Sequence, residues 1–289
     1  MVHVAHKVII DTDIGDDIDD ALALALAALS PELEILAVTT VYGRVDLRAK
    51  LAVKLLTSLG KDDVPVARGS PSTLLGYVPS HTPCQAEALS SKEEYEIAED
   101  GLALMEELMD TEDNLTVITL GPLSNIGFLL KKRPDLAKKT RFIVMGGCFF
   151  ENRIEYNIRC DPEAVALLLK SGADTTMVGL DVTLKCIMSD TMVDMLKKNP
   201  RLYVLKNYLE AWSKRAKHNP ILHDPLTVAI SFKENLVETI PAKITVELSE
   251  PNRGLTKITK GEFNAKICVE VNAQRFLQLY TERVLAKYS

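Results

Sequence analysis

Short runs of consecutive apolar, often β-branched residues alternate along the chain with longer segments in which apolar residues recur at helical spacing. The short runs predict buried strands, and the longer segments predict helices that bury one face. The predicted strands cover residues 8–10, 34–40, 64–66, 115–119, 141–145, 175–179, 242–248 and 265–271. The predicted helices are an Ala/Leu-rich one that ends near residue 30, one after residue 125, and others at residues 46–59, 91–110, 161–170, 189–199, 202–217 and from 273 onwards. This alternation predicts an α/β fold: an open, mostly parallel, Rossmann-like central sheet with helices on both faces.

One long stretch interrupts the alternation. Residues 69–91 are rich in Gly, Pro, Ser and Thr, which is typical of irregular backbone. Loops of this length in compact domains are usually functional or mobile. We therefore expect this segment to cover a neighbouring functional site as a lid.

The length and composition limit the classes of protein to which the chain can belong. The chain has 289 residues, 47% of them hydrophobic, and we expect a single domain over residues 1–289. A net charge of −6 without any basic block argues against nucleic acid and anionic membranes as partners. No apolar run approaches the roughly 18 residues of a membrane-spanning helix, and no signal-peptide pattern is present. Five cysteines without metal-ligand spacing indicate a reduced, cytoplasmic protein.

Six aspartates lie between the first predicted strand and the Ala/Leu-rich helix: Asp11, Asp13, Asp16, Asp17, Asp19 and Asp20. Ligands of open α/β sheets bind at this edge, where the strands end. Two carboxylates about 4 Å apart repel by about 4 kcal/mol at an effective dielectric near 20, whereas a helix N-terminus stabilises one such charge by about 0.3–1 kcal/mol. The remaining repulsion favours a bound cation, and all-oxygen ligands favour calcium or magnesium. The alternative is a solvated turn with Asp19 or Asp20 as the helix cap.

The same stretch resembles the N-terminal signature of the inosine-uridine-type nucleoside hydrolases, a strand followed by D-T-D-x-G-x-D-D-A and a helix. Asp11-Thr12-Asp13 and Gly15 match the first part, and Asp19-Asp20-Ala21 match the last. Two extra residues, Asp16 and Asp17, stand between the two parts. The resemblance implies a nucleoside hydrolase-like fold and a calcium ion held partly by Asp13 and Asp20.

Two later segments extend the resemblance. Residues 119–125 (TLGPLSN) resemble the turn in which the residue before the glycine lends its backbone carbonyl to calcium, a role that falls to Leu120. Read without the resemblance, this segment is a Gly-Pro turn before a helix capped by Ser124 or Asn125. Residues 145–164 resemble M-G-G…N…E-F-N…D-P-E-A, which implies that Asn152, Glu155 and Asn157 bind the hydroxyls of a ribose. Carboxamides suit this role because they both donate and accept hydrogen bonds.

The last motif is His223-Asp224-Pro225, which precedes an apolar helix. In the family the aspartate completes the metal site, and the histidine protonates the departing base. The other histidines, His81 among them, carry no such context and are interpreted as surface or packing residues. The chain departs from the family in having Arg44 where an asparagine is common, and in lacking the H-G-x-x-G segment after the third strand.

Taken together, the resemblance implies a calcium-dependent N-ribohydrolase that splits a ribonucleoside into base and ribose, as in purine or pyrimidine salvage. Asp13, Asp20, the Leu120 carbonyl and Asp224 would hold calcium, and Asp13 would also accept the proton of the attacking water. Asp19 would orient the ribose with Glu155 and Asn157, and His223 would be the general acid. Relatives are homodimers or homotetramers, so the same is expected of this chain.

Two alternatives stay open from the sequence. One is a non-catalytic relative that binds calcium and ribose. The other is a haloacid dehalogenase-type phosphohydrolase, in which Asp11 would be the nucleophile and Asp13 the acid.

Overall fold

A computed structural model of the chain describes residues 5–90 and 93–286. Nine strands lie within these ranges. They are β1 (His6–Thr12), β2 (Leu33–Thr40), β3 (Val66–Arg68), β4 (Thr116–Thr119), β5 (Arg141–Met145), β6 (Asp174–Val178), β7 (Val237–Val246), β8 (Thr256–Thr259) and β9 (Ala265–Val271).

The α-helices of the described ranges alternate with these strands along most of the chain. They are α1 (Asp19–Ala28), α2 (Val45–Ser58), α3 (Gly101–Thr111), α4 (Ser124–Lys132), α5 (Tyr156–Cys160), α6 (Pro162–Lys170), α7 (Leu180–Thr183), α8 (Asp190–Lys198), α9 (Tyr203–Ser213), α10 (His223–Ile230) and α11 (Ala273–Tyr280).

The strands form one sheet in the order β3-β2-β1-β4-β5-β6-β9-β7-β8. All pairings from β3 to β9 are parallel, and only β7 pairs in the antiparallel sense, with β9 and β8. The strand order reverses beside β1, because β2 lies on one side of β1 and β4 on the other. The carboxyl end of β1 therefore lies at the point where doubly wound folds bind their ligands. The predicted open, mostly parallel α/β sheet is confirmed.

The core lies on both faces of this sheet. Val8 and Ile10 of β1 pack into one apolar layer, and Ile9 between them packs into the other. Alternation of side chains along a strand requires this arrangement when both faces are covered. Helix α1 is buried along its whole length, which explains why its sequence is an uninterrupted Ala/Leu run without a polar stripe.

Some predicted elements differ from the structure. The helix predicted at residues 91–110 begins only at Gly101, where the Asp100 side chain accepts from the Ala103 N–H and caps it. Residues 93–100 carry an isolated bridge between Ala98 and Ala67 instead, and residues 91–92 lie outside the described part. The third strand comes two residues later than predicted.

Three elements have no counterpart in the sequence prediction: the short helices α5 and α7, and strand β8. The two helices have only five and four residues, too few to show helical periodicity. Strand β8 was missed because three of its four side chains are exposed. Among the described residues, no helix is long and apolar enough to cross a membrane.

Candidate active site

Three buried carboxylates meet where two helices begin. Asp19 and Asp20 are the first two residues of α1, and Asp224 is the second residue of α10. The two helices pack against each other, so residues from opposite ends of the chain become neighbours. One carboxylate oxygen from each side chain lies within 4.8 Å of the other two. Neither aspartate caps α1, because Ile18 precedes the helix and makes no side-chain cap. The interpretation as a capping turn is therefore wrong.

These carboxylates are electrostatically strained. Burial raises the pKa of Asp19, Asp20 and Asp224 well above the ordinary range, and the neighbouring carboxylates raise it further. Helix N-termini carry partial positive charge and stabilise anions, but only by about 0.3–1 kcal/mol for each charge. The helix N-termini alone therefore do not compensate the repulsion among the three carboxylates, and a bound cation would stabilise them.

The donor set fits a hard divalent cation. It consists of carboxylate oxygens from three side chains, each 6% exposed or less. Calcium and magnesium take such all-oxygen sites, whereas zinc prefers nitrogen and sulfur ligands. Thr12 supports the site from β1, because its hydroxyl donates to Asp20 Oδ1 at 2.5 Å.

Asp13 lies beside this cluster but is not one of the three carboxylates that approach within 4.8 Å. It opens the acidic turn, which we define as residues 13–18, between β1 and α1. A side chain at Gly121 would clash with Asp13, since a Cβ there would lie 2.7 Å from Asp13 Oδ1. The glycine thus lets the end of β4 approach the turn. Burial raises the pKa of Asp13 to about 6, although the charge of Arg48 opposes the shift.

A cavity of about 540 Å³ opens above the cluster. Its size lies within the range of roughly 300–1,000 Å³ for small-molecule sites. The lining comes from the acidic turn, the segment around His81, the carboxyl ends of β4 and β5, and the starts of α1, α5, α7 and α10. The lining residues are Asp13, Asp16, Asp17, Asp19, Asp20, His81, Leu120, Met145, Arg153, Ile154, Glu155, Tyr156, Asn157, Leu180, His223 and Asp224.

Glu155 and Asn157 form one wall of the cavity. Glu155 caps α5: its carboxylate accepts from the N–H groups of Asn157 (2.8 Å) and Ile158 (2.9 Å), and weakly from Gly147 (3.4 Å). Burial nevertheless raises the pKa of Glu155 to about 7. The Asn157 amide donates to the carbonyl of Leu120 at 2.6 Å. The motifs of residues 119–125 and 145–164 are thereby joined directly.

His223 faces the cavity from the start of α10. Its Nδ1 lies 2.7 Å from the Thr183 hydroxyl, which orients the ring. Burial, together with the positive charge of Arg153, lowers the pKa of His223 to about 4. The imidazole is therefore neutral at pH 7 in the unliganded protein.

Two residues singled out from the sequence do not reach the cavity. Asn152 is exposed and does not line it; it lies in the irregular segment between β5 and α5. The structure thus does not bring Asn152 to the sugar subsite that the resemblance implied. Arg44 forms an exposed, bidentate ion pair with Asp46, 2.7–2.9 Å in length, and also stays outside the cavity.

The positions of Ser124, Asn125 and Asp11 decide between two further pairs of alternatives: which residue caps α4, and whether Asp11 is a nucleophile. Ser124 and Asn125 do not cap α4; the Ser124 hydroxyl donates to Asp161, and the Asn125 amide donates to Asp11 Oδ1. Asp11 is fully buried and lines no part of the cavity. A phosphohydrolase nucleophile has to reach its substrate, so the interpretation with Asp11 as nucleophile is wrong.

The sequence interpretation missed three residues. His81, assigned to the surface or to packing, lies with Nε2 2.7 Å from Asp16 Oδ2 and lines the cavity. Asp16 itself was treated only as an insertion. Arg48 is 1% exposed and binds the acidic turn, and helical spacing gave a signal for it. It lies three residues after Val45 and four before Ala52, so its charge interrupts the buried stripe of α2.

A second, larger groove of about 910 Å³ runs along α2 and residues 93–98. It has mixed charged and apolar walls and contains none of the residues of the acidic cluster. Convergent buried polar groups mark a site better than volume does, so the smaller cavity is the candidate active site.

Comparison with known proteins agrees with the arrangement. Residues 8–278 match the model of the inosine-uridine preferring nucleoside hydrolase family. The chain is 30% identical over 314 residues to a pyrimidine-specific ribonucleoside hydrolase RihA of an Enterobacter species, covering 99% of both chains. A plant nucleoside hydrolase superposes with a TM-score of 0.88 at 26% identity, covering 98% of this chain and all of the other. A purine-preferring ribonucleoside hydrolase of Gardnerella vaginalis gives 0.85 at 26% identity, covering 96% and 98%. The chain thus belongs to the inosine-uridine preferring nucleoside hydrolase family and is an enzyme of the nucleoside hydrolase class.

Proposed function

We propose that the protein is a calcium-dependent N-ribohydrolase that cleaves the N-glycosidic bond of a ribonucleoside to give free base and ribose. The observation that carries the proposal is the convergence of Asp19, Asp20 and Asp224, from both ends of the chain, at one end of a nucleoside-sized cavity. Hydrolysis of ribonucleosides agrees with the family and with its relatives. The use of calcium is our inference from the donor set.

The residues that would hold the ion are Asp20, Asp224, the carbonyl of Leu120 and Asp13, with Asp19 as a neighbour that completes the negative site. When bound, a calcium ion offers open coordination positions to a vicinal diol and lowers the pKa of a coordinated water. The Leu120 carbonyl accepts from Asn157 in the structure, and a carbonyl oxygen keeps a second lone pair for another partner.

The ribose would lie with its diol towards the acidic cluster. Asn157 and Glu155 form the wall beside this end of the cavity, and Asp19 borders it from the start of α1. Hydroxyl groups of a sugar need both donors and acceptors, which an amide and two carboxylates supply. The carboxylates also stabilise the positive charge that develops on the sugar as the bond to the base breaks.

Asp13 would accept the proton of the attacking water. It is 8% exposed, lines the cavity and lies next to the carboxylate cluster. As a ligand of the cation it would be ionised at neutral pH, and a carboxylate in this position could accept a proton from a water beside it.

His223 would assist the departing base. The Thr183 hydroxyl at Nδ1 leaves the rest of the ring for the cavity, so Nε2 is the atom that meets the leaving group. Because the ring is neutral in the unliganded protein, the substrate complex has to raise the pKa of His223 before it can transfer a proton. A base that gains negative charge as it leaves favours the imidazolium in this way.

The test is a nucleoside panel with inosine, uridine, cytidine and adenosine, measured in calcium and after chelation. The proposal predicts release of base from at least one nucleoside, loss of this activity with the chelator, and recovery with calcium. A folded protein that calcium stabilises without any base release would instead be the non-catalytic relative. A pyrimidine-specific relative and a purine-preferring one are both similar to this chain, so the panel also decides the base preference.

Two further expectations accompany the proposal. We propose a cytoplasmic location, since all five cysteines are free thiols. We also propose a homodimer or homotetramer, which light scattering of the purified protein would measure.

A further inference from the structure

Arg48 is a buried arginine whose donors are almost all used. Its guanidinium donates to the backbone carbonyls of Tyr42 at 2.8 Å, Ile14 at 3.0 Å and Asp13. A buried guanidinium costs free energy unless its N–H groups are matched in this way. Two of the three carbonyls belong to the acidic turn, so Arg48 fixes the backbone from which the Asp13 side chain projects.

The remaining bond of Arg48 leads to the cavity wall. Its Nη2 lies 2.9 Å from Asp16 Oδ2, and the same oxygen lies 2.7 Å from Nε2 of His81. Asp16 belongs to the acidic turn and lines the cavity. It thus links Arg48 of helix α2 to a histidine that lies 65 positions after Asp16 in the chain.

His81 belongs to a longer stretch that lies on the acidic turn. We call residues 69–90 the covering segment. Its Gln85 N–H donates to the carbonyl of Gly15 at 3.0 Å, and its Gln85 amide donates to the carbonyl of Asp17 at 2.5 Å. A Cβ at Gly15 would lie 2.6 Å from the Cβ of Pro83, so the Pro83 ring packs directly against the backbone of Gly15. The covering segment is therefore attached on both sides of Asp16.

We propose that Arg48 and Asp16 are a positioning pair: Arg48 fixes the acidic turn that presents Asp13, and Asp16, held by Arg48, fixes His81 as a wall of the cavity. The inference rests on the proposed function for its effect on catalysis. Its effects on calcium binding and on the order of the covering segment can be measured without any turnover. Arg48 fixes both the acidic turn and the cavity wall at His81, whereas Asp16 and His81 fix only the wall.

The first arm of the test compares Arg48→Lys with the unchanged protein by calorimetric titration with calcium. Lysine keeps the charge but cannot reach three carbonyls and a carboxylate at once. We expect the calcium affinity to fall about tenfold, the equivalent of one charge-assisted hydrogen bond. The matched control is Arg253→Met, which breaks a bidentate, half-buried ion pair with Glu163 away from the acidic turn. A variant that melts earlier but binds calcium with unchanged affinity would overturn the role of Arg48.

The second arm uses Asp16→Ala, His81→Ala and the double variant, with hydrogen exchange of the covering segment as the readout. Each single change should release the segment around residue 81, so its amides exchange faster, by about tenfold. Because both changes break the same link, the double variant should exchange no faster than either single one. Asp16→Asn, which still accepts from both partners, should restore most of the protection. Equal protection in all variants would overturn the role of Asp16.

Turnover supplies a third, separate readout. In calcium-loaded protein, Asp16→Ala and His81→Ala should raise KM for the preferred nucleoside by about tenfold and leave calcium affinity within about twofold. A fall in kcat at constant KM would contradict positioning through the wall. If the unchanged protein hydrolyses no nucleoside, the proposed function fails, and the first two arms still decide the positioning pair.

Discussion

Replacing Asp224 with asparagine removes one of the three buried carboxylates while keeping the shape of the side chain. At 4.8 Å and an effective dielectric near 20, each carboxylate pair repels by about 3.5 kcal/mol, and Asp224 takes part in two of the three pairs. The metal-free protein limits this cost by keeping protons on the cluster. Protonating a carboxyl group of ordinary pKa at pH 7 costs about 4 kcal/mol, so this is the upper limit of the strain that each acid can hold.

We therefore expect Asp224→Asn to raise the free energy of unfolding of the metal-free protein by about 1–4 kcal/mol. With calcium bound, the unchanged protein should instead be the more stable of the two. At a hundred times its Kd, a ligand adds about 2.7 kcal/mol to the free energy of unfolding, and the variant should lose most of this gain because a ligand is missing.

Urea unfolding with chelator and with saturating calcium measures both effects. The control is Asp135→Asn on the surface, which breaks an exposed ion pair with Arg133 and should change neither curve. Two results would refute the reasoning. One is a variant that is less stable than the unchanged protein in chelator; the other is calcium stabilising both proteins equally.

Three further predictions concern pH, the general acid and the metal. In chelator, the free energy of unfolding should fall as pH rises from 4 to 7. The reason is that Asp13 and Glu155, with pKa values raised to about 6 and about 7, keep protons in the folded state that the unfolded chain releases above about pH 4. His223, whose pKa is lowered to about 4, makes the free energy of unfolding rise with pH instead, but the carboxyl groups outnumber it. A free energy of unfolding that rises steadily with pH in chelator would contradict this prediction. His223→Ala should keep calcium affinity and lower kcat/KM for inosine by at least about 100-fold, and retained inosine turnover would exclude the role of general acid. Chelation should abolish base release and added calcium should restore it, so full activity after exhaustive dialysis against chelator would argue against any metal.

The sequence was sufficient for the parts of the fold and site that local patterns encode. The β-branched run at residues 8–10 and the Ala/Leu run after it could only be a buried strand and a buried helix, and both lie where expected. The parallel sheet follows from the alternation of such elements. The family resemblance then placed Asp224 near Asp20, although 204 positions separate them in the chain; the packing of α1 on α10 brings them together.

Tertiary contacts decided what the sequence did not reveal. His81 lies in a segment with no periodicity, and its contact with Asp16 at the cavity wall is a tertiary one, 65 positions apart in the chain. Asn152 has the chemistry that the motif requires, but it is exposed to solvent in the irregular segment between β5 and α5. The helix predicted from residue 91 was too long because the acidic residues that precede Asp100 were assigned to its first turn, whereas Asp100 itself gave the signal for an N-terminal cap. Arg48 is a second case in which the sequence held an overlooked signal, a charge within an apolar stripe.

The most direct test is a crystal structure of the full chain with calcium and ribose. The account predicts one ion bound by Asp20 and Asp224, in contact with the 2′- and 3′-hydroxyls of the sugar. Ribose bound without an ion between it and these carboxylates, or calcium bound only elsewhere on the protein, would contradict it.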